Sequence, residues 1–441
     1  MKNRNFKIKI QLINPPITVI SGMDLKDIGC FPPLGLFSIF SFLKKNNFQV
    51  EFIDFNVGSI PKNKINGDIV GIGADWRTYK NALKIAEQAK SQGSFVVLGG
   101  SLVSSLGRTI INRRGKIIDA VIIGDGEIPL LKIARGDNLE KIPNLIFKKQ
   151  GKIIETKKYE PDLNQYGPID YSLINLSPYF KNFKKSFPEN KNLVVANVYS
   201  HKGCAWRNAN HKECVFCSIF DKTLRYKNVK TYWREIEQLQ ELYKINTVYD
   251  VSDSFLDNLN WLQELIKIKT PNSPAFYIYS RTNQINQTSI NLLTKLGIKN
   301  IYLGIESGSQ KILNKINKGT TTKNNLSAVK LLAENNIEVD LSFIFGNPEE
   351  DKKSIQETFN HFFELSAFGN VNAVEAAFFR PLPGSKSFAL LNNKLRGKYD
   401  RVDNLPFFKM RREWVENFCN ISWHDLKEKI KEFKEIIPQS L

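Results

Sequence analysis

Along the first third of the chain, short apolar runs alternate with stretches of helical periodicity. Ile8 to Ile13, Val50 to Ile53, Ile69 to Ile72, Phe95 to Leu98 and Ala120 to Ile123 are runs of strand length. Between them, Leu34 to Leu43 reads as an apolar helix begun by Pro32 and Pro33, where proline suits a first turn. Tyr79 to Lys90 places Ala82, Ile85, Ala86 and Ala89 on one helical face, and a further helix follows from Pro129. Uninterrupted apolar strands between helices predict a parallel sheet covered on both faces, a doubly wound Rossmann-like domain over residues 1–136. Polar and glycine residues close these strands: Asn14, Gly73, Gly99-Gly100-Ser101 and Gly124-Asp125-Gly126-Glu127. In open α/β sheets the ligand crevice lies beyond such strand ends, so these positions are its candidate lining.

Residues 137–190 read as a connector with a hairpin around Gln150-Gly151. A second β/α series follows over 191–384. Strands are predicted at 194–199, 246–250, 276–279, 300–305, 339–345 and 374–379, with helices at about 230–243, 259–267, 288–296, 323–335 and 354–366. Six such units predict a partial (β/α)6 TIM-type barrel, whose chemistry sits at the C-terminal mouth. Residues 385–441 read as a small helical tail or cap, ending in a Lys/Glu-rich helix at about 423–436 with the pattern of a solvated surface helix.

Composition narrows the class. Of 441 residues 42% are hydrophobic and 24% charged, which fits a globular protein and excludes a disordered or fibrous one. The net charge of +19 comes from lysines spread along the chain with no aromatic-interleaved basic cluster, so no specific nucleic-acid partner is expected. The longest apolar stretch, Cys30 to Leu43, is too short to span a bilayer, and the N-terminus lacks the apolar core of a signal peptide; a cytoplasmic protein is expected. Five cysteines are too few for a disulfide scaffold.

Three of those cysteines crowd into one segment just after the first barrel strand: His201-Lys-Gly-Cys204-Ala-Trp-Arg-Asn-Ala-Asn-His211-Lys-Glu-Cys214-Val-Phe-Cys217. Thiols gathered at a barrel mouth are poor packing groups and good soft ligands. Spacing alone leaves two metals open. A structural zinc would take Cys204, His211, Cys214 and Cys217; a four-iron cluster held by the three cysteines would leave one iron free.

The pattern as a whole resembles radical S-adenosylmethionine (SAM) enzymes with an N-terminal cobalamin-binding-like domain. Phe31-Pro-Pro-Leu-Gly-Leu36, Val97-Leu-Gly-Gly-Ser101 and Ile123-Gly-Asp-Gly-Glu127 are similar to that domain's recurring signatures. Asp253-Ser-Phe255, Tyr279-Ser-Arg281, Gly304-Ile-Glu-Ser-Gly-Ser309, Phe345-Gly-Asn-Pro-Glu-Glu350 and Arg380-Pro-Leu-Pro-Gly-Ser385 are similar to the post-strand motifs of its barrel. The resemblance spans roughly residues 7–390. One departure is the nine residues between Cys204 and Cys214, where the family commonly has three.

The resemblance implies that Cys204, Cys214 and Cys217 hold a [4Fe–4S] cluster that chelates SAM, and that one-electron cleavage of SAM yields a 5′-deoxyadenosyl radical. It further implies SAM contacts at Phe216, Asp253, Ser254, Ser280, Arg281, Glu306 and Gly346. Cobalamin would sit at Asn14, Trp76, Gly99, Gly100, Ser101, Gly124, Gly126 and Glu127, with Trp76 or Tyr79 shielding the lower cobalt face. No cobalt-ligating histidine is present there, since all four histidines lie at or beyond His201. The implied function is a cobalamin-dependent methyltransferase acting on an unactivated carbon of a small-molecule, lipid or peptide substrate, reduced by a donor such as flavodoxin or ferredoxin. The alternatives are a radical rearrangement or cyclisation and, from another class, a zinc-stabilised nucleic-acid-binding protein.

Overall fold

The computed structural model describes residues 8–18, 27–57, 65–208 and 212–437. The chain forms two compact units: Met1–Asn192 with Asp400–Asn404, and Leu193–Tyr399 with Leu405–Leu441.

The first unit runs β1 (Lys9–Asn14), α1 (Leu34–Lys45), β2 (Gln49–Asp54), β3 (Ile69–Gly73), α2 (Tyr79–Ser91), β4 (Phe95–Gly99), α3 (Ser101–Arg114), β5 (Ala120–Ile122), α4 (Glu127–Ala134), β6 (Leu145–Lys149), β7 (Lys152–Glu155) and α5 (Ser177–Ser186). Its sheet has the order β2-β1-β3-β4-β5-β6-β7. The first five strands are parallel, and Ile10, Leu12, Val70, Val96, Leu98 and Val121 are buried, as two-sided coverage requires. Strand order reverses between β1 and β3, so the crevice expected of such a sheet opens past Asn14 and Gly73. The hairpin expected within a connector instead pairs antiparallel onto β5 and extends this sheet.

The second unit runs β8 (Val195–Val198), β9 (His201–Lys202), α6 (Ala205–Asn208), β10 (Arg225–Tyr226), α7 (Val229–Tyr243), β11 (Thr247–Asp250), α8 (Leu259–Ile268), β12 (Ala275–Ser280), α9 (Gln287–Leu296), β13 (Ile298–Glu306), α10 (Gln310–Lys315), α11 (Thr322–Ala333), β14 (Glu338–Phe345), α12 (Lys352–Ser366), β15 (Val371–Phe378), α13 (Lys386–Lys394), α14 (Phe407–Phe418) and α15 (Trp423–Ile436). Six parallel strands lie in the order β15-β14-β13-β12-β11-β8, the predicted partial barrel. Its helices start where short polar side chains take up free N–H groups: Asn228 accepts from Thr231 N, Asn258 from Trp261 N and Asp351 from Ser354 N.

The last helix is not merely a solvated surface element. α15 buries Leu426, Ile430 and Phe433, and the Phe433 ring lies 4.9–5.4 Å from the rings of Phe343, Phe345, Phe359 and Phe362. Its Lys/Glu-rich face hides an apolar stripe that completes the packing of β14 and α12. Among the described residues no helix is long and apolar enough to cross a membrane.

Candidate active site

The cysteine segment begins where β9 ends. Cys204 follows Gly203, whose N–H donates to the Asp253 carboxylate, and the next residue, Ala205, donates its N–H to Asp257 Oδ2 at 2.6 Å. Two post-strand acids thus fix the start of the segment. Its far side is held by the 312–318 region. Trp206 Nε1 donates to Asn317 O (3.0 Å), Asn317 Nδ2 to Glu213 O (2.9 Å) and Val215 N to Ile316 O (2.9 Å). Cys217 N donates to Cys214 O at 3.0 Å, closing the tight half of the motif.

Cys214 is buried and the other two thiols half-buried. Burial, reinforced by Asp257, pushes the Cys204 thiol up to about 11; burial also raises Cys217. Metal binding here would release those protons. Among the described residues no three His, Cys, Asp or Glu side chains converge closely enough to hold a single ion. A four-iron cluster is a broader body that asks for more widely spaced thiolates. Two guanidinium groups reach the thiols, Arg281 Nη1 to Cys214 Sγ at 3.8 Å and Arg207 Nη1 to Cys217 Sγ at 3.9 Å. Soft donors with cationic neighbours suit an anionic cluster. His211 lies outside the described residues; His201 is buried, stacked on Tyr226 at 4.6 Å, with Nδ1 2.9 Å from Ser200 Oγ.

The expected SAM contacts divide into groups. Ser254 and Ser280 meet in one network: Ser254 Oγ lies 3.0 Å from Asp257 Oδ1 and 2.8 Å from Gln284 Oε1, and Ser280 Oγ lies 3.1 Å from Gln284 Oε1. Gln284 Nε2 closes the ring to Asp257. Asp257 and Gln284 were not foreseen, although each stands three or four positions after a residue that was. Asp253 stands at the edge of this network, its carboxyl pushed up by desolvation and by the like charges of Asp221 and Asp257. Phe216 packs against Ile312, Leu313 and Ile316, edge-on to Phe379 at 6.3 Å.

Glu306 has the left-handed φ of 63° at a register shift between β13 and β14, and its carboxylate meets Lys318 Nζ at 2.6 Å with both side chains buried. Lys318 is a third residue the sequence did not single out. Gly346 lies under the C-terminal helices. Its carbonyl accepts from Trp414 Nε1 at 2.9 Å, and a Cβ there would come within 3.1 Å of Leu426. Its φ of 90° accounts for the glycine without a ligand.

In the first unit, Asn14, Trp76, Gly99, Gly100 and Ser101 all fall at or just beyond strand ends. Asn14 is tied to Asp54 (2.9 Å), Trp76 is half-buried on a turn held by Asp75, and Gly99 to Ser101 are partly or fully exposed. Gly124 also lies past a strand end, its N–H donating to Ser104 Oγ at 3.0 Å. Gly126 and Glu127 turn inward instead. A Cβ on Gly126 would meet Ile39 at 2.5 Å, and buried Glu127 accepts from Ser38 Oγ at 2.6 Å, so both serve α1–α4 packing. Tyr79 is likewise buried, its hydroxyl donating to Asp403 Oδ2 at 3.1 Å, and does not face the crevice.

Known proteins bear on both units. Residues 25–134 match the family model of the B12 binding domain, and residues 198–362 match that of the Radical SAM superfamily. The chain is 27% identical over 438 residues to an uncharacterized methyltransferase of Pyrococcus horikoshii, covering 94% of this chain and 90% of the relative. It is 24% identical over 410 residues to the bacteriochlorophyllide d C-12(1)-methyltransferase of Chlorobaculum tepidum, covering 88% and 81%. In fold it is similar to the radical SAM methyltransferase TsrM of Kitasatospora setae, solved with cobalamin and a [4Fe–4S] cluster bound: TM-score 0.70, 15% identity, 89% of this chain and 76% of that one. The cofactors that go with the two domain models are a [4Fe–4S] cluster with SAM and a cobalamin. The chain thus carries an N-terminal B12-binding domain followed by a radical SAM domain, the arrangement of a cobalamin-dependent radical SAM enzyme.

Proposed function

We propose that this enzyme is a cobalamin-dependent methyltransferase that alkylates an unactivated carbon of a small-molecule, lipid or peptide substrate. The observation that carries the reading is the presence of both domain matches in one chain whose relatives of similar length are named methyltransferases. Cys204, Cys214 and Cys217 hold the cluster. When bound, the cluster and SAM supply a 5′-deoxyadenosyl radical and cobalamin supplies a methyl carrier.

The chain's own residues place and shelter these groups. Asp253 and Ser254 face the SAM ammonium, while Ser280 and Glu306 face its ribose. Phe216 offers an apolar wall for adenine. Asp257 and Gln284 keep Ser254 and Ser280 in fixed rotamers, so the site needs little rearrangement when SAM arrives. The partly exposed strand ends at Asn14, Trp76, Gly99 to Ser101 and Gly124 cradle the corrinoid. The enzyme works in the cytoplasm with a low-potential protein donor such as a flavodoxin or ferredoxin.

The test is anaerobic turnover of protein reconstituted with iron, sulfide and hydroxocobalamin, given SAM and a reductant. A methyltransferase that uses SAM both as methyl donor and as radical source releases S-adenosylhomocysteine as well as 5′-deoxyadenosine. Release of 5′-deoxyadenosine alone would favour a radical rearrangement, and stoichiometric zinc with no SAM cleavage would favour the zinc-stabilised nucleic-acid-binding reading.

A further inference from the structure

Arg281 is 7% exposed, and although its charge acts on the nearby Asp257 carboxyl, among the described residues no carboxylate lies in direct ion-pair contact with its guanidinium. A buried cation of this kind needs a compensating anion. The group is nevertheless held firmly. One Nη donates to the Lys318 carbonyl, the other approaches Cys214 Sγ at 3.8 Å, and the plane lies 5.1 Å from the Trp206 ring centroid. The nearby Lys318 ammonium is already paired with Glu306. Across the motif, Arg207 stands in the same relation to Cys217 at 3.9 Å, but its Nε is 3.4 Å from Glu213 Oε2. Two of the three thiols thus each have a guanidinium donor, one in direct ion-pair contact with a carboxylate and one not.

We propose that Arg281, and more weakly Arg207, are positioning residues that raise the reduction potential of the iron–sulfur cluster by donating N–H···S hydrogen bonds to Cys214 and Cys217. The inference rests on the reading that these cysteines hold the cluster. Hydrogen bonds to the sulfurs and net charge are among the quantities that set such potentials. Three thiolates on a [4Fe–4S]²⁺ core leave one net negative charge, and the electron that starts SAM cleavage makes it two. A fixed cation beside the thiolate stabilises the reduced state more than the oxidised one. The anion in direct contact with Arg281 is then the thiolate-bearing cluster itself, and the SAM contact expected of this residue gives way to that role.

The test is an anaerobic EPR redox titration, without SAM, of the reconstituted wild-type protein and the Arg281→Gln, Arg281→Lys and Arg207→Gln variants. SAM binding is measured in parallel by equilibrium dialysis. With iron and sulfide contents equal, Arg281→Gln should lower the reduced-to-oxidised ratio at fixed poise about tenfold, equivalent to ~59 mV for one electron. Arg207→Gln should lower it less, because Glu213 already neutralises that charge, and Arg281→Lys should recover part of the loss. SAM affinity should change less than twofold. An unchanged midpoint in Arg281→Gln overturns the proposal, as does a variant that loses SAM affinity while keeping its potential. If Arg281→Gln holds no cluster, Arg281→Lys and Arg207→Gln decide by the same titration, and unchanged midpoints in both overturn it. Wild-type protein that takes up no iron and sulfide overturns the cysteine reading and this inference together, a result distinct from an unchanged potential in a loaded cluster.

Discussion

Glu306 holds its carboxylate inside the second unit, where a charge needs a partner. Its place after an apolar strand gives no sign of which cation forms the pair. The structure supplies that pair in Lys318, twelve positions on. The bend that brings them together is a register shift with a left-handed backbone at Glu306, which hydrophobic periodicity does not encode. Removing one partner of a buried pair leaves an uncompensated charge, so Lys318→Met should destabilise the second unit by about 3–5 kcal/mol. The double variant Lys318→Met with Glu306→Leu should regain most of that in urea unfolding; no regain would show that the pair does not act as a unit. Glu350 gives a pH test. Burial raises its carboxyl to about 7 despite N–H donors from Gly346 and Asn347. The folded chain therefore holds a proton that the unfolded chain releases at lower pH. Stability from this group is complete below the unfolded value and is lost as pH rises to about 7. Glu350→Gln should flatten the fall in thermal midpoint between pH 5 and 7.5; an unchanged slope would contradict the assignment.

At the scale of elements, strands and helices were legible because the apolar runs are long and cleanly punctuated. The roles of the glycines were not, since a strand-end glycine can serve a ligand or a neighbouring backbone. Gly100 and Gly99 separate the two cases. A Cβ on Gly100, at φ 116°, would lie 2.4 Å from the Ala74 carbonyl, whereas one on Gly99 meets nothing within 4 Å. Gly100→Ala should lower the stability of the first unit by at least about 2 kcal/mol, combining backbone strain with overpacking. Gly99→Ala should leave the thermal midpoint nearly unchanged but perturb the spectrum of bound corrinoid, because its open face is part of the proposed cradle. A Gly99→Ala protein with an unaltered corrinoid spectrum would place the cradle elsewhere. The neighbouring pair Gly126 and Glu127 looked equally functional in sequence and serves helix packing instead.

At the scale of the molecule, the succession of an open sheet and a partial barrel followed from the order of apolar runs. The extent of each unit did not. The 145–155 hairpin pairs across to β5, and α15 joins the barrel through a stripe of only three residues, Leu426, Ile430 and Phe433, masked by lysine and glutamate. Truncating Phe433 to Ala should therefore cost about 3–5 kcal/mol, as for a core aromatic, where a solvated helix would lose almost nothing. The chemistry was legible because three cysteines on one loop have few structural uses; the residues that support them from outside that loop, Asp257, Gln284 and Lys318, come from separate elements and only the fold assembles them. The most direct measurement of the central claim is quantification of 5′-deoxyadenosine by mass spectrometry, from oxygen-protected, reconstituted wild-type protein and from Cys204→Ala, Cys214→Ala and Cys217→Ala, each incubated with SAM and reductant. Formation by the wild type and loss in all three variants is the expected result; undiminished formation in any one of them, or none by a wild-type protein carrying iron and sulfide, would contradict it.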